Sequence, residues 1–255
     1  MKLATWNVNS IRARIDLLGD WLARQQPDVV CLQETKVVDE LFPVESMAAA
    51  GYRSTFVGER TYNGVAILTR DPLEDVQVAF PLTGNTDCRL ISGVYHGIRV
   101  YSAYFPNGRA PDTEHYAAKL RWIDGLGELV MGRGAADLPI ALLGDYNVAP
   151  EPRDVYDPAA MEGRIHFTLD ERAAIQRLLD RGLIDAFRVN RDEAGIYSWW
   201  DYRQGAFRRN LGLRIDHVFT SPVLAEHVIA AEVDVVERRK AGCSDHAPVI
   251  VELDI

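Results

Sequence analysis

The pattern of hydrophobic positions at the start of the chain predicts a strand, a helix and a second strand. The stretch Lys2–Val8 is rich in β-forming residues and predicts a strand. Ser10 can cap the helix that follows, whose apolar residues recur at three- and four-residue steps until Pro27. A nearly continuous apolar run over 28–34 then predicts a strand buried on both faces. This spacing is typical of a β-α-β unit. The apolar helix positions are Ile11, Ile15, Leu18 and Leu22.

The middle of the chain carries short strand patterns separated by turn sequences. Asn-Gly, Asp-Pro, His-Gly and Pro-Asn-Gly lie between or after the runs, which favours hairpins and antiparallel pairing. The runs are Tyr52–Gly58, Gly64–Arg70, Arg89–Tyr95 and Ile98–Phe105.

Two more helices and four more strands are predicted in the second half. A helix follows Pro111, and a second opens at the capping-box pattern Thr168-x-x-Glu171 and ends at Gly182. The first helix places Tyr116, Leu120, Ile123 and Val130 on one face. The strand runs are Leu138–Leu143, Ile215–Thr220, Val228–Val236 and Ala247–Leu253.

Helices set among many strands, with no linker-like segment between them, predict one domain over 1–255. The fold class is α/β (α+β), and its simplest architecture is two packed mixed β-sheets flanked by helices. The chain of 255 residues is 47% hydrophobic and 25% charged, as is ordinary for globular proteins. No apolar run approaches the ~18 residues of a membrane span, and the N-terminus lacks the pattern of a signal peptide.

Charge and cysteine usage narrow the functional class. A net charge of −9 fits poorly with a passive nucleic-acid coat protein, because such proteins bind phosphate through a basic surface. It is compatible with an enzyme whose carboxylates surround a divalent cation. The three cysteines, Cys31, Cys88 and Cys243, lie far apart in the sequence, which predicts a reducing cytoplasm rather than a disulfide scaffold or zinc cluster.

Polar residues capable of binding a metal recur at the ends of the strand patterns. Asn or Asp at such a position, taken alone, is typical of a turn or a helix cap. Glu34 is harder to explain in that way, because Glu is a poor turn former and ends a run too apolar for a surface strand. For Asp216 the alternative is a buried ion pair with Arg214, and for His246 a loop histidine. The set comprises Asn7, Asn9, Glu34, Asp145, Asn147, Asp216, Asp245 and His246.

Together these residues fit metal-assisted phosphodiester hydrolysis. Carboxylates such as Glu34, Asp145 and Asp245 are hard oxygen ligands that suit Mg²⁺ or Mn²⁺ better than zinc. An Asp–His pair supplies an oriented imidazole, and Asn side chains supply neutral donors to a phosphate. The sequence has neither a glycine-rich phosphate loop nor a Gly-x-Ser-x-Gly elbow, so a nucleotide-driven motor and a serine hydrolase are not supported.

Seven ordered motifs resemble exonuclease III, the bacterial branch of the endonuclease/exonuclease/phosphatase superfamily, over essentially the whole chain. The resemblance implies a four-layer α/β sandwich and a Mg²⁺-dependent DNA-repair nuclease, with Mn²⁺ able to substitute. Such enzymes incise double-stranded DNA 5′ of abasic sites and process 3′ ends. No protein partner or membrane is implied, and a monomer is expected. The motifs are Trp6-Asn7-Val8-Asn9, Leu32-Gln33-Glu34-Thr35-Lys36, Asn63-Gly64-Val65-Ala66, Gly144-Asp145-Tyr146-Asn147, Trp199-Trp200-Asp201-Tyr202-Arg203, Gly212-Leu213-Arg214-Ile215-Asp216 and Ser244-Asp245-His246-Ala247-Pro248.

The resemblance also implies a role for each site residue. Glu34 would be the principal metal ligand. Asp145 would orient or deprotonate the attacking water, and Tyr104 would donate to the phosphate or assist the leaving group. Asp216 would orient His246, which would contact the phosphate together with Asn147. Other candidates for the metal shell are Asn7, Asp145, Asn147, Asp245 and His246, whereas Asn9 stands where some relatives carry a carboxylate.

DNA contacts are predicted from an arginine-rich and aromatic segment. From Tyr202 to Arg214 there are four arginines and no carboxylate, which suits a groove that follows a phosphate backbone. Trp200 and Phe207 are expected to line a pocket for an unpaired sugar, and Trp199 to lie in the core. His166 precedes the capping box and would narrow that pocket, shifting activity toward 3′ ends, unless it is an ordinary surface histidine. For Arg12, Lys36 and Arg109 the alternative is an ordinary surface charge. The remaining candidates are Arg12, Lys36, Arg109, Arg203, Arg208 and Arg209.

Two alternatives stay open at this point. Another branch of the same superfamily acts on inositol phosphates or phospholipid head groups, although the arginine and aromatic segment and the lack of a membrane-seeking stretch count against it. The second alternative is a protein that binds damaged DNA and has no catalytic activity. A pure binder has little use for a metal site that repels phosphate when it is empty.

Overall fold

Two six-stranded mixed β-sheets form the centre of the computed structural model, which describes residues 1–78, 88–132 and 138–255. The strands are β1 (Lys2–Asn7), β2 (Val29–Gln33), β3 (Arg53–Val57), β4 (Val65–Thr69), β5 (Glu74–Val78), β6 (Leu90–Tyr95), β7 (Ile98–Tyr104), β8 (Ile140–Asp145), β9 (Ile184–Asp185), β10 (Asp216–Thr220), β11 (Val228–Val233) and β12 (Val249–Leu253). The α-helices are α1 (Ile15–Gln25), α2 (Val44–Ala49), α3 (Glu114–Met131), α4 (Pro158–Met161), α5 (Leu169–Asp180) and α6 (Pro222–Ala225).

The order of the strands confirms the predicted β-α-β start and the hairpins. In the first sheet the order is β11-β12-β1-β2-β4-β3, and in the second it is β5-β6-β7-β8-β10-β9. Strands β1 and β2 are parallel, as are β7 and β8, and the other described pairs are antiparallel. Each parallel pair is joined across one helix, because parallel neighbours need a crossover connection.

Three apolar cores create four layers. Between the sheets, residues such as Leu3 of β1 and Val100 of β7 pack face to face. Helix α1 covers the outer face of the first sheet through Trp21, and α3 and α5 cover the outer face of the second through Ile123 and Ile175. The fold is therefore the predicted α/β sandwich of two sheets flanked by helices. None of the helices within the described ranges is both long and apolar enough to cross a bilayer.

One local prediction is wrong, and the structure has elements, such as β5, that were not predicted. Helix α1 begins at Ile15 rather than after Ser10, because Asn9 and Ser10 adopt left-handed backbone conformations. The Ser10 N–H donates to the carbonyl oxygen of Glu34, so this stretch pairs with the segment that follows β2. Strand β5 was not predicted. It is exposed at every position on the edge of the second sheet, so burial imposes no alternation on its sequence.

Other local predictions are confirmed. The reciprocal capping box between Thr168 and Glu171 opens α5. On α3 the predicted apolar face is buried at Tyr116, Ile123 and Val130. The structure also shows Tyr101 packed in the core and Tyr104 at the end of β7, because residues an odd number of positions apart lie on opposite faces of a strand.

Candidate active site

Sheet register brings the polar strand ends to one edge of the sandwich. Asn7 is the last residue of β1, and Glu34 follows β2 directly. In the second sheet Asp145, the last residue of β8, lies opposite both Tyr104 at the end of β7 and Asp216 at the start of β10. Residues from distant parts of the sequence thus converge where the strands leave the sheets, the usual position for a ligand site in α/β folds.

The Asn7 amide joins the two sheets at this edge. The Asn7 Nδ2 donates to Glu34 Oε1 and to Asp145 Oδ2, at 2.9 Å in both cases. The Tyr104 hydroxyl also donates to Glu34 Oε1, at 3.0 Å, and the Lys36 Nζ lies 2.6 Å from Glu34 Oε2. Burial alone would raise the pKa of Glu34, but the bonds from Asn7 and Lys36 outweigh it and lower the pKa, so the carboxylate is held ionised.

Asp216 pairs with His246 and not with Arg214. The His246 Nδ1 lies 2.9 Å from Asp216 Oδ2, which leaves Nε2 facing Asp145 Oδ2 at 3.8 Å. Burial would lower the pKa of His246, but the charges of Asp216 and Asp145 raise it to about 10, so an imidazolium is favoured. Arg214 binds Asp154 and Asp185 instead. The ion-pair alternative for Asp216 is therefore wrong.

Asp145 is almost fully buried, and its surroundings explain the motif around it. Burial raises its pKa, His246 opposes the shift and Asp216 adds to it. The backbone N–H of Asn147 donates to Asp145 Oδ1 at 2.9 Å, in the manner of an Asx turn. The glycine at 144 is required by close packing, because a Cβ there would lie 1.8 Å from the carbonyl oxygen of Ala103. Asn147 itself has φ of 53°, a left-handed value that Asn tolerates.

The donor set fits a hard divalent cation. Among the described residues, one ligand atom each from Asp145, Asp216 and His246 lies within 4.8 Å of the others. Glu34 is attached to this cluster through Asn7 and faces the same cleft. Carboxylate oxygens dominate this set, and the His246 imidazole already binds Asp216 through its Nδ1, so Mg²⁺ or Mn²⁺, which prefer oxygen ligands, fit better than zinc.

Asp245 and Asn9 lie beside this cluster. The Asn9 Nδ2 donates to Asp245 Oδ1 at 3.0 Å, and the Asn9 Oδ1 accepts from Lys36 at 2.6 Å. The Trp199 indole donates to Asp245 Oδ2 at 3.0 Å. Burial would raise the pKa of Asp245, but His246 and the bonds from Trp199 and Asn9 lower it. Asn9 is therefore occupied as a bridge between Lys36 and Asp245.

A cavity of about 370 Å³ adjoins the site at Trp199, whose indole binds Asp245. Trp199 and His166 contribute to its wall, and their ring centroids are 6.4 Å apart. Trp200, only 2% exposed, packs instead against Phe207 and Tyr197, and its indole donates to Asn210. The predicted roles of the two tryptophans are thus reversed, and Phe207 supports Trp200 rather than lining the cavity. The other lining residues are Tyr156, Met161, Arg164, Ile165, Asp201, Arg203, Gln204, Ala206, Leu211 and Leu213.

The predicted cationic residues fall into two groups. Lys36 turns inward to Glu34 and Asn9, so it is part of the carboxylate cluster. The others are exposed, and Arg203 among them lines the cavity. The exposed residues are Arg12, Arg109, Arg203, Arg208 and Arg209.

Several residues around the site were missed by sequence reasoning. Arg164 lines the cavity, the Arg89 guanidinium stacks on Tyr104 at 4.7 Å, and the Ser198 hydroxyl accepts the backbone N–H of Asp216. Lys119 reaches the backbone of Asn147 from helix α3. Arg164 lies two residues before His166, which was already a candidate, whereas Ser198 and Lys119 carry no local signal.

The fold and the site define a hydrolase class, an α/β sandwich that presents carboxylates, amides and a histidine–aspartate pair at one sheet edge. The chain belongs to the Endonuclease/Exonuclease/phosphatase family, whose sequence pattern matches residues 4–246.

Curated relatives and solved structures agree with this assignment. Exodeoxyribonuclease III of Haemophilus influenzae is 35% identical over 267 residues, which cover 99% of both chains. The 3′ phosphatase NExo from Neisseria, solved with a product DNA hairpin, superposes with a TM-score of 0.97 at 39% identity and 100% coverage of both chains. An AP endonuclease from Archaeoglobus fulgidus superposes with a TM-score of 0.94 at 36% identity, again covering both chains completely.

Proposed function

We propose that this chain is a Mg²⁺-dependent DNA-repair phosphodiesterase that processes 3′ ends and incises duplex DNA 5′ of abasic sites. The convergence of Glu34, Asp145, Asp216 and His246 at one edge of the sandwich carries the proposal. Relatives named exodeoxyribonuclease III and AP endonuclease match over the whole chain and support the substrate class.

Glu34 would hold the cation as principal ligand. Asn7, Asp145, Asn147, Asp245 and His246 complete the candidate ligand set. Bound there, Mg²⁺ would polarise the scissile phosphate and neutralise developing charge, and Mn²⁺ would be expected to substitute. The pairing of Asp145 and Glu34 through one amide supports this, because two adjacent carboxylates are best balanced by a cation between them.

The side chains around the phosphate would divide the remaining work. Asp145 would orient the attacking water and accept its proton, which suits a buried carboxylate of raised pKa. His246, held as an imidazolium by Asp216, would donate to a phosphate oxygen, and the Asn147 amide would add a second donor. Tyr104 would donate to the departing oxygen. Its pKa is raised by burial and by Glu34, so it stays protonated near neutral pH.

DNA would lie across the exposed arginines, with a terminal or extruded sugar at the cavity beside Trp199. His166 would limit the space for an abasic sugar, because its ring forms part of the cavity wall and is fixed by a 2.6 Å contact between Nδ1 and the Asn147 carbonyl oxygen. We also propose that residues 1–255 act as one nuclease domain, as a monomer and in the cytoplasm. The buried free thiols of Cys31 and Cys243 fit a reducing compartment.

One assay tests the activity. The protein is incubated with a duplex bearing an abasic analogue, a duplex with a recessed 3′ end and a soluble inositol phosphate, each with Mg²⁺ and with chelator. We expect metal-dependent cleavage of DNA and none of the inositol phosphate. Cleavage of neither duplex would refute the proposal, and preferential release of phosphate from the inositol compound would assign the chain to another branch.

Matched variants separate chemistry from binding. Asp145→Asn should lose about 10²–10⁴-fold in kcat while retaining DNA affinity, because it removes the group that handles the water. Asp124→Asn, in a surface ion pair with Arg177, is the control and should leave both quantities unchanged. Equal losses of binding and turnover in Asp145→Asn would assign that residue a structural role instead.

A further inference from the structure

A fully buried ion pair lies directly behind Asn147. Lys119 of α3 and Glu171 of α5 are both 0% exposed, and the Lys119 Nζ binds Glu171 Oε1. A buried pair of this kind is weak evidence for stabilisation, because the cost of removing two charges from water offsets much of their attraction. Its position calls for an explanation other than stability alone.

Lys119 donates its other two hydrogen bonds to backbone carbonyl oxygens of the candidate site. Its Nζ donates to the carbonyl oxygen of Asn147 at 2.7 Å and to that of Asn107 at 3.3 Å. Three acceptors for three N–H groups fit a protonated ammonium. The Asn107 side chain in turn donates to Asn147 Oδ1 at 3.2 Å, so both carbonyls that Lys119 holds belong to residues that set the amide of Asn147.

Glu171 extends the same network to His166. Its Oε1 also accepts the backbone N–H of His166 at 3.2 Å, while its Oε2 accepts the N–H and the hydroxyl of Thr168 at 3.0 Å each. The His166 Nδ1 in turn lies 2.6 Å from the carbonyl oxygen of Asn147. Because that oxygen can only accept, Nδ1 carries the proton in this contact. The Asn147 carbonyl therefore has two donors, and both depend on Glu171.

We propose that the Lys119–Glu171 pair is a positioning element that holds Asn147 in its left-handed conformation. Its amide is thereby kept beside Asp145, where it would reach the phosphate. The inference rests on the proposed function of Asn147. Asn tolerates a φ of 53° but is not restricted to it, so the hydrogen bonds to its carbonyl oxygen select this conformation. A purely structural pair, which merely joins α3 to α5, would change stability and leave turnover per folded molecule intact.

Kinetics of single and double variants distinguish the two roles. Lys119→Met should lower kcat by about 100-fold with KM nearly constant, the cost expected when a catalytic group is misplaced by about 1 Å. The double variant Lys119→Met/Asn147→Ala should be no slower than Asn147→Ala, because Lys119 acts only through Asn147. Independent, multiplicative losses in the double variant, or an unchanged kcat in Lys119→Met, would overturn the proposal.

Two further variants control for folding. Lys119→Met/Glu171→Gln removes the uncompensated buried carboxylate and keeps an acceptor for the capping box, so it should fold and still show the loss in kcat. Arg24→Met breaks a pair with the buried Asp234 and Glu237 that contacts none of the site residues named above. It should lower stability and leave kcat unchanged. A loss in Arg24→Met as large as in Lys119→Met would overturn the proposal.

Hydrogen exchange gives a readout that does not depend on activity. The Asn147 N–H, which donates to Asp145, should exchange at least about 10-fold faster in Lys119→Met than in the wild type, and no faster in Arg24→Met. Unchanged exchange would contradict the positioning role even if kcat fell. Absence of cleavage by the wild type would refute the proposed function, while exchange at Asn147 would still decide whether Lys119 holds it.

Discussion

His217, buried beside the site in β10, should make the protein acid-sensitive. Its side chain is 0% exposed, its Nε2 lies 2.9 Å from the carbonyl oxygen of Val148, and its Nδ1 lies 3.0 Å from Arg214 Nη1. Since a carbonyl oxygen accepts and a guanidinium donates, the ring is neutral, with its proton on Nε2. Burial, with Arg214 adding to it, lowers the pKa of His217 from 6.5 to about 4.

The sign of the effect follows from proton binding. Between pH 6.5 and about pH 4 the unfolded chain binds a proton at His217 that the folded protein excludes, so the free energy of unfolding falls as the pH falls. The full shift corresponds to about 3 kcal/mol, of which about 2 kcal/mol is lost between about pH 7.5 and about pH 5. Above pH 6.5 the contribution is fully present.

Urea unfolding of the wild type and His217→Gln at these two pH values, with chelator present, measures the effect. Gln can keep both hydrogen bonds and does not titrate, so the variant should lose about 2 kcal/mol less than the wild type on acidification. His166 contributes to both proteins and cancels in the difference. His115→Gln, at an exposed position of α3, is the control and should follow the wild type. Equal losses in the wild type and His217→Gln would refute the reasoning.

Three further predictions concern the site itself. Glu34→Gln should weaken Mg²⁺ binding in calorimetry by at least about 10-fold, because a charged hard ligand is lost, and unchanged affinity would remove Glu34 from the metal site. His166→Gly should raise the ratio of abasic incision to 3′ trimming, and a constant ratio would contradict the role of the ring in the cavity wall. Trp199→Ala should raise KM for abasic duplex more than for a recessed 3′ end, whereas Trp200→Ala should mainly lower the urea midpoint, since Trp200 is buried.

Local patterns of the sequence were sufficient for most elements of the fold. The apolar run at Val29–Gln33 forms a strand buried at every position, and the capping box of Thr168 and Glu171 opens α5 as predicted. These predictions hold because burial and capping act on residues that are neighbours in the chain. The start of α1 and the exposed β5 were missed, since left-handed residues at Asn9 and Ser10 and an edge strand leave little periodic signal.

Tertiary structure decided how the site is assembled. The sequence by itself marked Asn7, Glu34 and Asp145 as polar residues at strand ends, but only sheet register shows one amide bonded to both carboxylates. Trp199 and Trp200 are identical neighbours in the sequence, yet Trp199 lines the cavity and Trp200 lies in the core. Their placement therefore depends on the residues that pack around each side chain. Residue type sets what a side chain can do chemically, whereas partners far away in the chain set where it points and how strongly it holds its protons.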